Sequence, residues 1–178
     1  MNKKFFILWG MMIALIISVA TVQAYDNLRV LGTNDSDCAD GSCDSKTLQD
    51  ALDAASPGAM VMLEGTFDFG DDQFVSLKKD VTIKGKRGPK REYLAVIKGG
   101  MNAFALGWDP ALGFPEFDEY CGLISNPNTQ RWPAEFVISD LQFEEPTWTA
   151  IAGAATTGTT IRNNRFLGGL QINAGCNA

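Results

Sequence analysis

Three groups of side chains in this chain have types and spacings that suit chemistry. The first is a carboxylate cluster. Asp35, Asp37, Asp40 and Asp44 fall within ten residues, with Cys38 and Cys43 among them. Closely spaced carboxylates are oxygen ligands for calcium, so Asp35, Asp37 and Asp40 are the candidate metal ligands. The spacing departs from an EF-hand loop, because Ala39 stands where a third ligand belongs. The second is a basic run. Lys78, Lys79, Lys84, Lys86, Arg87, Lys90, Arg91 and Lys98 lie within 21 positions, with only Asp80 and Glu92 as acids among them. On an acidic protein such a run is a local attractor for a polyanion, and Lys84, Lys86 and Arg87 are its candidate contacts. The third is a long insertion, residues 107–135, carrying Trp108, Phe114, Phe117, Tyr120 and Trp132 with four prolines. Long ordered loops are often functional. Trp108, Tyr120 and Trp132 offer flat faces for stacking on sugar rings.

The residues that are missing narrow the chemistry further. The chain has no histidine. A Ser-His-Asp triad, a Cys-His nucleophile and a histidine-ligated metal site are therefore excluded. The formal charge of -6 argues against a nucleic-acid partner, since nucleic-acid-binding domains are usually basic. Glu144 and Glu145 are sequence neighbours at a strand end, and no carboxylate pair suited to glycoside hydrolysis stands out.

Residues 1–24 set the compartment. Lys3 and Lys4 precede an apolar run from Phe5 to about Ala20, and Val22 and Ala24 stand at the -3 and -1 positions of a cleavage site. This is the pattern of a secretory signal peptide; the apolar stretch falls short of the ~20 residues a spanning helix needs. The expected mature chain begins at Tyr25, has 13 basic and 21 acidic residues, and contains no further membrane span. Secreted, periplasmic or cell-surface location follows, with oxidised cysteines. Four cysteines allow three pairings. The four-residue loop between them favours Cys38–Cys43, which leaves Cys121–Cys176. No Cys-x-x-Cys spacing supports a zinc site.

Behind these residues stands a chain of short strands. Segment 25–45 reads as an acidic, disulfide-containing lead. In KTLQDALDAASPG (46–58), Leu48, Ala51, Leu52 and Ala55 share one helical face. Ser45 or Asp44 is the expected N-cap, and Pro57-Gly58 ends the helix. Strands are then expected at 59–67, 74–77, 81–85, 95–99, 103–106, 136–143, 150–154, 159–166 and 170–175. An antiparallel sandwich would be stitched by Asn-Gly or Asp-Gly hairpins. The single Asp-Gly, Asp40-Gly41, precedes the first of these strands. The pattern therefore favours an all-β solenoid of parallel strands. Asn163-Asn164 marks a bend, where asparagines are expected to pair with equivalents in neighbouring coils.

Thr47-Leu48-Gln49, Ala51-Leu52, Ala55, Pro57-Gly58-Ala59, Val61, Leu63 and Gly65-Thr66-Phe67 together resemble the opening of right-handed parallel β-helix proteins, the pectate-lyase-like superfamily. Val81–Gly85, Val137–Phe143 and Thr160–Phe166 resemble further strand-turn coils of that family. The resemblance implies a capping helix on a right-handed parallel β-helix spanning 46–178, about five coils with the insertion at 107–135. It also implies a lyase alternative. β-Elimination of uronate polymers needs a lysine or arginine base and a cation, often calcium, on the carboxylate. Arg162 and Arg165, on a late coil, are the candidate catalytic residues, although no acids cluster beside them in sequence. The favoured expectation is a non-catalytic exported module that binds acidic polysaccharide; the alternatives are a polysaccharide lyase or a fragment of one, and a structural, adhesin-like fragment. No C-terminal cap follows the last strand-like stretch, so further coils or a partner are expected to cover that end.

Overall fold

The computed structural model describes residues 27–106, 132–153 and 156–174. The expected signal peptide, Trp108, Tyr120, Cys121 and Cys176 lie outside these residues. Among the described residues the protein is all-β apart from one helix. Its elements are β1 (Asn27–Thr33), α1 (Asp44–Ala54), β2 (Ala59–Asp68), β3 (Phe74–Leu77), β4 (Val81–Gly85), β5 (Ala95–Lys98), β6 (Asn102–Leu106), β7 (Trp132–Ser139), β8 (Gln142–Glu144), β9 (Thr149–Gly153), β10 (Thr156–Arg162), β11 (Arg165–Leu167) and β12 (Leu170–Ala174).

Every ladder between these strands is parallel, which sets aside the antiparallel sandwich. The strands form three columns. The first half of β2 leads β4, β7 and β10; its second half leads β5, β8 and β11; β3 leads β6, β9 and β12. In chain order, each strand of the first column is followed by one of the second and one of the third. Strand β1 adds to the outer edge of β2 over seven residue pairs, from Asn27↔Met60 to Thr33↔Thr66. The lead segment is thus partly a strand of the sheet.

Alternation along the strands of the first two columns explains most of the core, while β3, β6 and β9 bury consecutive residues. Ile161, Ile138, Ile83, Val61 and Leu28 share one register row, and Phe166, Phe143, Ile97 and Phe67 another. These residues, with Phe104 and Ile151 from the third column, pack into one continuous apolar cluster. The Phe143 and Phe166 rings stack with centroids 5.1 Å apart, and Phe104 meets Phe143 edge-on at 5.7 Å.

Helix α1 begins two residues before the expected span and covers the end of this core with Leu48, Leu52 and neighbouring Ala55. Its N-cap is Cys43, with no side-chain capping bond, rather than Ser45 or Asp44. Asp44 is instead drawn inward to other partners. Gln49 reaches the edge of β3: its Oε1 accepts from Ser76 N at 2.8 Å, and its Nε2 donates to Ser76 O at 3.1 Å. The side-chain amide takes the place of a neighbouring strand, one way of protecting a sheet edge.

Corners between columns use positive φ. Asp140 (62°) and Asn163 (55°) break the expected single strands 136–143 and 159–166 into two strands each. At Gly99, φ is +70° and an added Cβ would lie 2.2 Å from Gly70 O, so only glycine fits. Asn164 does not pair with an asparagine in the preceding layer of strands. Its amide bonds backbone there: Nδ2 donates to Ile138 O and Oδ1 accepts from Leu141 N, both at 2.9 Å. Strand β7 starts at Trp132, inside the expected insertion, because Trp132 and Glu135 pair with Thr156 and Gly158 of β10.

Candidate functional site: a basic corner between the first two columns

Register places the cations. Along one register row, Arg29 is opposite Met62, Met62 opposite Lys84, Lys84 opposite Ser139, and Ser139 opposite Arg162; Ser139 itself is buried between the two cations. Neighbouring strands lie about 4.8 Å apart, so Arg29, Lys84 and Arg162 recur roughly every 9.6 Å across the strands. Ile83 and Ile161 point inward on the same strands, which turns Lys84 and Arg162 out.

Between β4 and β5 the chain makes a short hairpin, residues 86–94. Lys86 N donates to Leu63 O and Gly65 N to Leu94 O, which anchors both legs on β2. Gly88 N donates to Glu92 O, and Arg91 turns the tip with φ +65°. Residues 89–92 are exposed. The Arg87 guanidinium lies over the Tyr93 ring, 3.6 Å from its centroid, a cation–π contact. The Tyr93 hydroxyl donates to Asn163 O at 3.0 Å. This one bond ties the hairpin to the bend flanked by Arg162 and Arg165. Residues about 70 positions apart therefore meet at one corner.

The basic run is divided by the fold. Lys84, Lys86, Arg87, Lys90 and Arg91 belong to this corner. Lys79 turns to the helix end, donating to Asp53 O at 2.9 Å. Lys98 leaves for the next corner, where it pairs with Asp68 at 2.9 Å. Within the basic corner, Glu64 receives both Lys86 (2.5 Å) and Arg29. The Lys86 hydrogen bond, then the Arg29 bond, holds the Glu64 carboxyl below the usual range. Arg165 is exposed and contacts Gln142 Oε1 at 3.5 Å. Lys84, Arg87, Lys90, Arg91, Arg162 and Arg165 thus outnumber Glu92 and Asp140 here, and the balance favours an anion.

The carboxylate cluster at 35–40 is organised differently. Asp35 Oδ1 accepts from Asp37 N, Asp37 Oδ1 from Ala39 N, and Asp40 Oδ1 from Ser42 N and Oγ. Each aspartate closes a small turn on the backbone two residues on. The Ser42 backbone bond, then its hydroxyl, lowers the Asp40 carboxyl. Among the described residues no group of three or more acidic or cysteine side chains is placed to hold a metal ion. The Cys38–Cys43 disulfide is formed. Trp132 opens β7, on the first column rather than on a free loop.

Tyr93 and Asn163 are the site residues that sequence reasoning passed over. Their signal was an aromatic inside the basic run and an asparagine between two arginines. No helix among the described residues is long and apolar enough to cross a membrane. Comparison with protein-family models, with curated proteins and with solved structures finds no match.

Proposed function

We propose that the chain is an exported right-handed parallel β-helix protein, resembling the pectate-lyase-like superfamily, that binds acidic polysaccharide at its basic corner without transforming it. The carrying observation is the Tyr93–Asn163 bond, which gathers Lys84 and Arg87 with Arg162 and Arg165. Three parallel columns filled in rotation, closed at one end by an amphipathic helix, support the solenoid. The residue 1–24 pattern and the Cys38–Cys43 bridge support export. An extended uronate chain laid across the strands meets Lys84 and Arg162 about two strand spacings apart. Such a surface attracts by charge, so its affinity falls with salt.

The test is binding of the purified full chain to pectate, alginate and chondroitin at low and physiological salt. Expected is salt-sensitive binding to at least one polymer, weakened about tenfold or more in the K84E/R162E double variant, equivalent to about 1.4 kcal/mol. Equal binding by that variant would refute the corner. In the same samples, absorbance of unsaturated uronate is followed with and without calcium. A calcium-dependent rise that is lost in R162A/R165A would establish the lyase alternative instead.

A further inference from the structure

The inward rows of the third column are not all apolar. Val75, Phe104, Ile151 and Ile172 stand in one register row, and Phe104 and Ile151 belong to the core cluster. Two residues earlier on the same strands, and so on the same face, stand Asn102 of β6 and Thr149 of β9. They are register partners across the β6–β9 ladder. Both are taken out of solvent: Asn102 is 6% exposed and Thr149 0%. Their row continues to Phe74 in one direction and to Leu170 in the other.

Each of the two carries a polar atom without a protein partner. Asn102 Oδ1 and Thr149 Oγ1 are both shut off from solvent, and neither makes a hydrogen bond. A threonine hydroxyl can donate to an amide oxygen, but no direct bond joins this pair. Leaving a buried polar atom unbonded is costly, and nearly all such atoms in folded proteins are bonded to protein or to ordered water. Here two of them sit side by side on neighbouring strands. The row also holds less side chain than the one beside it. Its two inner layers carry Asn and Thr where the neighbouring row carries Phe and Ile.

We propose that one ordered water molecule is bound in the core at this step and bridges Asn102 to Thr149. The water donates one proton to Asn102 Oδ1 and accepts from the Thr149 hydroxyl. Its second proton goes to a backbone carbonyl of the corner. Met101 O accepts from Thr149 N at 3.0 Å and keeps a second lone pair at the same step of the ladder. Three bonds are what a buried water usually makes. The bridge does something the apolar rows do not. Apolar side chains recur at every second residue, so a slip of β9 against β6 by two residues still sets apolar against apolar. An Asn–water–Thr bridge is broken by any slip, so it fixes the register of the third column. This site stands independently of the basic corner.

The experiment is a crystal structure of the purified full chain, with structures of T149V and T149S and urea unfolding of T149V. Expected is one water within hydrogen-bond distance of both Asn102 Oδ1 and Thr149 Oγ1 in the parent and in T149S, which keeps the hydroxyl, and its loss from T149V. Valine has the shape of threonine without the hydroxyl. With the water bound, T149V removes one of its partners, so the folding equilibrium constant should fall about five- to tenfold, read as a lower urea midpoint at constant slope. Without the water, Thr149 Oγ1 is a buried hydroxyl bonded to nothing, and valine should raise the midpoint instead. A T149V midpoint at or above that of the parent overturns the proposal. So does a parent structure with a direct Asn102–Thr149 bond, or with no water between them. If T149V fails to fold, the parent structure decides alone.

Discussion

Asp44 is the residue whose loss should cost the fold most for its size. It is 1% exposed, and its carboxylate takes four hydrogen bonds. Oδ1 accepts from Thr33 N and Thr33 Oγ1, both at 2.9 Å. Oδ2 accepts from Asp35 N at 2.8 Å and Asp68 N at 2.9 Å. One side chain at the start of α1 thereby joins the end of β1, the loop after it and the end of β2. Asp44→Ala leaves three backbone N–H groups without this acceptor, at about 1–3 kcal/mol each where they stay dry. The donors are only part-buried, so the lower end applies, and the expected loss is about 3–4 kcal/mol. That is a large share of a domain stability of roughly 5–15 kcal/mol. Asp44→Asn should cost less, about 2 kcal/mol. Its oxygen can keep the two Thr33 bonds, while its NH2 faces the N–H groups of Asp35 and Asp68. Urea unfolding with the disulfide intact, read as a midpoint shift at constant slope, measures both. A loss below about 1 kcal/mol for alanine, or an asparagine variant as stable as the parent, would refute this account of how the lead segment is held.

Two further predictions concern covalent and ionic ties. The Cys38–Cys43 bridge spans a sequence separation of five, and closing so short a loop restrains the unfolded chain by about 2 kcal/mol. Reduction should therefore lower the midpoint of thermal unfolding by roughly 4–8 °C, and an unchanged midpoint would show that the loop is held by its aspartate turns alone. Stability should also form a broad plateau in pH. Glu64 and Asp68 are held below their ordinary 4.5 and 3.8. For Asp68, burial works to raise the carboxyl, but the bonds from Lys98 and Gly70 N outweigh it. Their stabilisation is complete above the unfolded values and is lost as pH falls through the folded ones. Lys98 is raised above 10.5, first by its Asp68 hydrogen bond, so its share holds below 10.5 and is lost as pH climbs past the folded value. With no histidine to titrate between, denaturant midpoints should be level from about pH 5 to 10; a step near pH 6–7 would contradict this.

How much of the molecule could be read in advance depended on how local its causes were. Val81–Gly85 falls where its apolar alternation places it, because it buries one face whatever its neighbours, and Phe74–Leu77 is legible as a short apolar run that is buried from Val75 to Leu77. The helix is legible for the same reason, through Leu48 and Leu52. Strand β1 was not. NLRVLGT buries only Val30, and its partner strand begins some thirty residues later, so nothing within the segment announces the pairing. Asp140 was missed as a corner because an aspartate inside FVISDLQF reads as an outward strand residue; its positive φ is imposed by the turn from the first column to the second.

The same distinction accounts for the sites. Inward rows are constrained twice, by alternation and by the layer on either side, so they admit little but Val, Ile, Leu and Phe. Corners escape both constraints, and there the sequence can vary in length, charge and aromatic content. The hairpin 86–94 and the Trp148 turn are two such departures, one between the first and second columns and one between the second and third. A charge run in sequence is a poor guide to them, because the fold sends Lys79, Lys84 and Lys98 to three different places. What predicts a site in an architecture of this kind is which corners stack. Arg87 and Arg162 are far apart in sequence, but Tyr93 on one corner and Asn163 on another, two layers on, bring them to one surface. Trp148 projects because its turn, residues 145–148, has two residues more than the stacked turn 168–169, whose glycines meet Glu145 and Pro146. Neither juxtaposition is written in a contiguous motif, and both follow once the register is known.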